Sequence, residues 1–315
     1  MKNFWQTIKR PFFVQAPMDD VTDTVFRQII AACAPPDVYF SEFTCVDALY
    51  SAGKSKALQK LKFTEIERPI VAQVWGTEPE LFFKSAKLIA ELGYDGIDIN
   101  LGCPDKAVLK KGAGGALIKD PEKVSEIVAA VRKGAPSLGL SIKTRLGFKQ
   151  VETEEWLGFL LGLPIDALTV HLRTVAELSK VPAHWEEMGK IVALRKQMKS
   201  KILLIGNGDV KTRVEGLEKC RQYGIDGIMI GRGILNNYWV FGKSPYVPEI
   251  NEKLELLEKH LKLSEQTWGK DRNFNNLKKF YKYYLSGHPA GKALRIKLMA
   301  VTTIEETLAI LKREK

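Results

Sequence analysis

Asn100-Leu101-Gly102-Cys103-Pro104 sets a thiol just past an apolar run, Gly96-Ile97-Asp98-Ile99, and ahead of the glycine-rich Lys110–Gly115. A short apolar run bounded by glycine reads as a buried parallel strand. A cysteine beyond its end lies on the loop side, where barrel enzymes keep their chemistry. A free cysteine is ordinarily a small buried hydrophobe, but Asn100, Gly102 and Pro104 are polar or conformationally special neighbours. Two further sets carry chemistry. Lys143, at the end of another apolar run, is placed to stabilise an anionic reduced heteroaromatic ring or to form a Schiff base. Asn207-Gly208-Asp209 and Gly231-Arg232-Gly233 offer glycine amides and a guanidinium suited to a phosphate.

These residues need a scaffold that brings distant strand ends together. Apolar, β-branched runs fall at Phe12–Met18, Val38–Phe43, Ile70–Gly76, Gly96–Gly102, Leu140–Gly147, Ala167–Thr174, Lys201–Gly208 and Gly227–Gly233. Amphipathic stretches such as Glu80–Leu92, Pro121–Lys133, Trp185–Lys199 and Thr212–Tyr223 lie between them. About eight strand–helix alternations predict an α/β fold, a (β/α)8 TIM barrel. A doubly wound open sheet would show G-x-G-x-x-G after its first strand, and the turn here is Ala16-Pro17-Met18-Asp19-Asp20. Past Pro245 and Pro248 the pattern turns helical. Leu254, Leu257, Leu261 and Leu263 form one apolar face, Phe274, Leu277, Tyr281 and Leu285 a second, and Ala293, Ile296 and Ala300 a third. The expected division is a catalytic barrel over residues 1–243 and a small all-α domain over 244–315.

In such a barrel the strand ends converge on one face. They carry Ala16-Pro17-Met18, Glu42, Gln73, Asn100 with Cys103, Lys143 with Arg145, His171 with Arg173, Asn207-Gly208-Asp209 and Gly231-Arg232. Any one could be a satisfied structural group; all of them together exceed what packing requires. The sets after strands seven and eight fall where barrels bind phosphate, at a short extra helix. FMN fits this arrangement. Its phosphate would sit at strands seven and eight, with Pro17 and Met18 against the ring and Gln73, Lys143 and His171 near its heteroatoms.

The chain has 315 residues and a net charge of +11, an excess that favours a polyanionic partner, nucleic acid first. Its four cysteines, Cys33, Cys45, Cys103 and Cys220, form no C-x-x-C pair, so disulfides and metal are not expected. Met1–Arg10 is basic, but the apolar run after it is too short for a signal-peptide core. No run is long enough to cross a bilayer. A cytoplasmic monomer is expected, with no membrane or protein partner.

At these residues the chain resembles the tRNA-dihydrouridine synthase family. The matching segments are Ala16-Pro17-Met18 with Val21-Thr22-Asp23, Ser41-Glu42-Phe43, Asn100–Pro104, Lys143–Gly147, His171–Thr174, Gly206–Val210 and Ile230–Gly233. In the tail, Lys278–Tyr284, Gly287 and Leu294-Arg295 look like the family's helical domain. The resemblance implies an oxidoreductase that carries FMN, reduces it with NADPH and reduces the C5–C6 double bond of particular uridines in tRNA. It assigns Cys103 as general acid, donating to C5 as hydride reaches C6. A free thiol, with a pKa of ~8.5, is protonated for that role near neutral pH. Asn100, Arg145, Lys279, Lys292 and Arg295 are the expected substrate contacts, and the target base must be flipped out of its stack. After Thr174 the chain departs from the family pattern. Residues 177–185 keep Trp185 but change the glutamine, aromatic, glycine and aspartate before it.

Two alternatives stay open on the sequence. An FMN barrel acting on a small substrate, dihydroorotate dehydrogenase-like, would share the lysine and phosphate site but would not need a basic helical tail. A non-catalytic tRNA-binding barrel would not need Cys103, Lys143 and Arg232.

Overall fold

Eight parallel strands run around one closed ring: β1 (Phe12–Gln15), β2 (Tyr39–Phe40), β3 (Ile70–Trp75), β4 (Gly96–Leu101), β5 (Gly139–Arg145), β6 (Ala167–His171), β7 (Leu203–Asn207) and β8 (Gly227–Ile230). The computed structural model describes residues 3–269 and 271–314, so Met1, Lys2, Lys270 and Lys315 lie outside the described residues. Each strand pairs with the next, and β8 pairs with β1. The ring closes where Gln15 N donates to Val38 O (3.0 Å) and Val38 N donates to Phe13 O (3.2 Å). This is the (β/α)8 barrel expected from the alternating runs.

Strand periodicity divides the side chains into two cores. Alternate residues such as Tyr39, Ala72, Ile97, Ile142, Leu168 and Ile228 face the surrounding helices in one large cluster. The others point inward. At the bottom they are apolar (Phe12, Val14, Phe40, Val71, Leu203, Ile205, Met229), and Trp5 from the N-terminal segment plugs that end. One layer higher they turn polar: Gln73, Asp98, Asn100 and Ser141 are all buried. Polar side chains therefore begin above the apolar floor and continue to the mouth at the strands' C-terminal ends.

β2 differs from its expected run, Val38–Phe43. It stops at Phe40, and the chain pairs again with β3 at Thr44–Cys45. From Tyr39 to Thr44 the chain advances five residues while its partner advances four, from Ile70 to Val74. The extra residue acts as a bulge does, re-aiming side chains at a rim; Glu42 and Phe43 lie in it.

The tail is helical from Ile250: Ile250–Trp268, Tyr281–Tyr284, Gly291–Ala300 and Ile304–Leu311. Leu254, Leu257, Leu261, Tyr281 and Tyr284 share one core cluster with Phe26, Ile29 and Ile30 of the barrel helix Thr24–Cys33. The third expected apolar face is corrected. Gly291–Ala300 buries Leu294 and Leu298, whereas Ile296 is 64% exposed. Helical spacing allows either stripe, and the heavier leucine pair takes the core.

Candidate active site

Cys103 is held by a chain of buried hydrogen bonds that begins two layers below it. Ser141 Oγ donates to Asp98 Oδ1 (2.6 Å), and Gln73 Nε2 donates to Asp98 Oδ2 (2.7 Å). Asn100 Nδ2 then donates to Gln73 Oε1 (2.9 Å). Asn100 Oδ1 in turn accepts from Gly102 N (3.0 Å) and Cys103 N (2.9 Å). An ionised carboxylate only accepts, so Asp98 fixes the direction of every amide above it. On the far side Gly115 N donates to Cys103 O (3.0 Å). Gly114 there has φ +58°, and a Cβ on it would lie 2.8 Å from Val108 Cγ1 and 3.1 Å from Cys103 Cβ. Only glycine fits both demands. Burial pushes the half-buried Cys103 thiol up, partly offset by the amide of Asp105, so it carries its proton at neutral pH.

Beside this loop, register places Lys143 against Asn100. Burial, then Arg145, lowers Lys143 to about 8, with Asp98 and Cys103 opposing. Lys143 lines a cavity of about 470 Å3 at the mouth over β6–β8, together with Ala16, Pro17, Met18, His171, Asn207, Gly208, Asp209, Gly231 and Arg232. A cavity of that size suits a cofactor. At Gly231 an added Cβ would meet only Ala16 Cβ (3.6 Å) and Met18 Sδ (3.9 Å), both ordinary contacts. The protein's own packing does not demand glycine there; a side chain would simply fill the cradle.

His171 is held neutral, well below its usual range, by burial and then by Lys143, Arg145, Arg173 and Arg232. Arg173 Nη1 lies 3.1 Å from His171 Nε2. A guanidinium has no acceptor, so Nε2 accepts and Nδ1 carries the proton as a donor. Arg173 also donates to Asp209 Oδ2 (2.5 Å) and Val181 O (2.6 Å), and Ala183 N donates to Asp209 Oδ2 (2.9 Å). The unusual segment after β6 is thereby tied to the site, with Trp185 Nε1 donating to Gly208 O (3.0 Å).

Four of the expected barrel site residues lie outside the cavity lining: Gln73, Asn100, Cys103 and Arg145. Gln73 and Asn100 belong to the hydrogen-bond chain. Arg145 Nε donates to Gly102 O (2.8 Å), and its Nη1 donates to Thr174 O (2.9 Å) and Leu178 O (2.8 Å), which clamps the cysteine loop to the segment after β6. Of the expected tail contacts, Lys292 and Arg295 are exposed on Gly291–Ala300. Lys279 is half-buried and donates to Asp20 O, where it helps to seat the tail on the barrel.

Arg173, already among the expected strand-end residues with His171, orients that ring. Other site residues were missing from the expected set. Asp98 looked like an ordinary strand residue. Asn236 lines the cavity from a segment with no local motif, and Tyr283 does so from the tail segment Lys278–Tyr284. Arg272 joins the barrel through Asp23 Oδ2 (2.7 Å) and Glu42 Oε2 (2.9 Å), across more than two hundred residues of sequence.

Comparison with known proteins agrees with this geometry. The family model for dihydrouridine synthases (Dus) matches residues 14–315. A probable tRNA-dihydrouridine synthase of Staphylococcus aureus (strain MRSA252) is 43% identical over 314 residues, 98% of this chain and 95% of that one. A probable tRNA-dihydrouridine synthase 2 of Bacillus subtilis (strain 168) is 44% identical over 313 residues, covering 98% and 96%. Among solved structures, a 2-naphthoyl-CoA reductase bound to 2-naphthoyl-CoA aligns with TM-score 0.56 at 12% identity, over 73% of this chain and 49% of that one. A variant of NCR from Zymomonas mobilis aligns with TM-score 0.50 at 16% identity, over 80% and 95%. The two structures share the fold; the family match and the full-length relatives carry the assignment, and the chain belongs to the dihydrouridine synthase family.

Proposed function

We propose that this protein is a flavin-dependent tRNA-dihydrouridine synthase that binds FMN in the cavity over β6–β8, with NADPH as reductant. The observation that carries the reading is the pairing of that predominantly cationic cavity with a rigidly held, protonated thiol at the end of β4. Family membership supports the reaction, and the net charge of +11 supports a tRNA substrate.

The cavity residues fit the cofactor. Arg232 and the open backbone at Gly231 would hold the phosphate, with Gly208 beside them. Lys143 and the Nδ1–H of His171 are donors for ring heteroatoms, and Pro17 and Met18 supply apolar contact. When bound and reduced, the flavin supplies hydride to uracil C6. Cys103 Sγ gives its proton to C5 as the C5–C6 double bond is lost, and the thiolate then recovers a proton from solvent. Asp98, Gln73 and Asn100 hold the cysteine amide so that the thiol meets one atom. Arg145 locks the loop behind it. Lys292 and Arg295 are the tail's exposed phosphate contacts, whereas Lys279 positions the tail. Every residue used comes from one chain, so a monomer suffices. No helix among the described residues is long and apolar enough to cross a membrane. A tRNA substrate supports a cytoplasmic location.

The test is dihydrouridine formation in unmodified tRNA by purified protein with NADPH. The wild-type protein should be yellow and active. Cys103→Ala should keep its flavin and its reduction by NADPH while tRNA turnover falls roughly 10²–10⁴-fold, the range for a lost general acid. Turnover near wild type would remove Cys103 from that role.

A further inference from the structure

On the opposite side of the mouth from the cofactor cavity lies a second cavity, of about 510 Å3, that the reaction described above does not use. Its walls come from the bulge after β2 and the end of β3, with the helix that follows Cys103 opposite them. Phe43 and Trp75 meet edge to face, ring centroids 6.3 Å apart, and both are half-exposed. Trp75 shares an inward face with Gln73, two residues below it, so its indole stands above the chain that holds Cys103. Asp105, two residues past the cysteine, forms part of the rim.

Charge around this cavity is matched to an anion. Lys60 Nζ lies 5.7 Å from the Phe43 ring centroid and Lys111 Nζ 5.5 Å from that of Trp75; Lys56 joins them on the rim. Of the two carboxylates present, Asp19 is paired with Lys60. Asp105 Oδ1 accepts from Ala107 N (2.8 Å) and Val108 N (3.2 Å) at the start of the next helix. Lys111, over Trp75, and Lys56, on the rim, are exposed and make no salt bridge among the described residues. Aromatic platforms with a basic rim are the means by which proteins hold single-stranded nucleic acid.

We propose that this cavity is a stacking subsite for the nucleotide next to the target uridine in the RNA strand. The inference rests on the function proposed above. A flipped base leaves its neighbour with an uncovered face, and Phe43 and Trp75 offer that face a partner close to the cysteine. Lys56 and Lys111 take the flanking phosphates. The subsite reads no hydrogen-bond edge, so it secures the strand without choosing a sequence.

Steady-state kinetics with unmodified tRNA, beside anaerobic bleaching of the flavin by NADPH, test this. Trp75→Ala and Phe43→Ala should each raise KM for tRNA roughly ten-fold and leave kcat largely unchanged, because stacking of a neighbour is equal in ground and transition states. Flavin content and the bleaching rate should not move. Trp75→Phe should recover most of the loss. Lys111→Glu, an exposed change that does not threaten folding, should raise KM and flatten its salt dependence. An unchanged KM in both aromatic variants overturns the subsite, as does slower bleaching with unchanged KM, which gives the cavity to the reductant. If wild-type protein makes no dihydrouridine in any tRNA, the enzymatic reading itself has failed, a pattern distinct from either.

Discussion

Two clusters of buried charge sit on the same barrel and are built on opposite rules. At the seam between barrel and tail, Arg272 answers Asp23 and Glu42 together, and its guanidinium lies 4.4 Å from the Trp268 ring centroid. Glu42 also accepts from Asp20 N (2.8 Å), and Trp268 Nε1 donates to Asp23 Oδ2 (3.0 Å). Asp23 and Glu42 each meet the same guanidinium. At the mouth, Lys143, Arg145, Arg173 and Arg232 gather around a neutral His171; Arg173 pairs with Asp209, but among the described residues neither Lys143 nor Arg232 makes a salt bridge. Burial, then Arg173, lowers even Arg145 to about 10. Charge that builds structure is matched where it stands; charge that serves a ligand is left unmatched until the ligand arrives. An uncompensated cluster costs stability in the free protein and makes anion binding favourable.

The sharpest break in this comparison is Arg272→Ala. It leaves Asp23 and the fully buried Glu42 facing each other without the guanidinium that bridges them. Removing one partner of a buried pair costs about 3 kcal/mol or more, the largest stability effect expected from a single change at either cluster. Denaturant melts should show that loss, and limited proteolysis should cut the tail first. Arg272→Lys should recover only part, because an ammonium does not span two carboxylates as a guanidinium fork does. A melt unchanged by Arg272→Ala would mean the seam is held by its apolar core alone.

Arg232→Ala is the matching change at the mouth and should behave in the opposite sense. A lost charge-assisted contact is worth about 1.5–3 kcal/mol, so FMN affinity should weaken roughly ten-fold or more. Riboflavin, lacking the phosphate, should be little affected. The cofactor-free protein should melt no lower than wild type, since one charge leaves a crowd of like sign. Equal losses for both ligands would put the phosphate elsewhere.

Much of the mouth was legible because strand ends are short, separate signals. Ala16–Met18, Lys143, His171, Asn207–Asp209 and Gly231-Arg232 each follow an apolar run, and the barrel's closure brings them together. What stayed hidden needs tertiary contact. Gln73 reads like any strand-end amide until Asp98 and Asn100 are seen on either side of it. Arg145 looks like a ligand contact until its nitrogens meet backbone carbonyls from two loops. Lys279 sits in a basic run and reads as a substrate contact, yet packing turns it toward Asp20. Arg272 carries no motif, and its partners lie at the other end of the chain.

Asp98→Asn is the smallest of these effects and the most diagnostic, because Asp98 is the one carboxylate beneath the unmatched cluster. Burial raises Asp98 to about 6 against an ordinary 3.8, while Ser141, Gln73 and Lys143 pull it down. It is therefore ionised at neutral pH. A folded value above the unfolded one means that the folded chain binds this proton more tightly. Its contribution to stability accordingly falls as pH rises from about 4 to about 6. Asparagine removes that dependence, so the variant should not melt lower at pH 7 unless the reversed amides strain the chain. The effect on activity has a definite sign. Lys143, near 8, is held up by the Asp98 charge. In the wild type, dihydrouridine formation should hold steady to about pH 8 and fall above it, as the ammonium loses its proton. Without the negative charge Lys143 gives up its proton sooner, and the break should move down by roughly one pH unit. A purely structural role for Asp98 would lower activity equally at every pH. A break that stays in place while the whole profile drops would therefore show that Asp98 acts only through the amides holding Cys103, and not on Lys143.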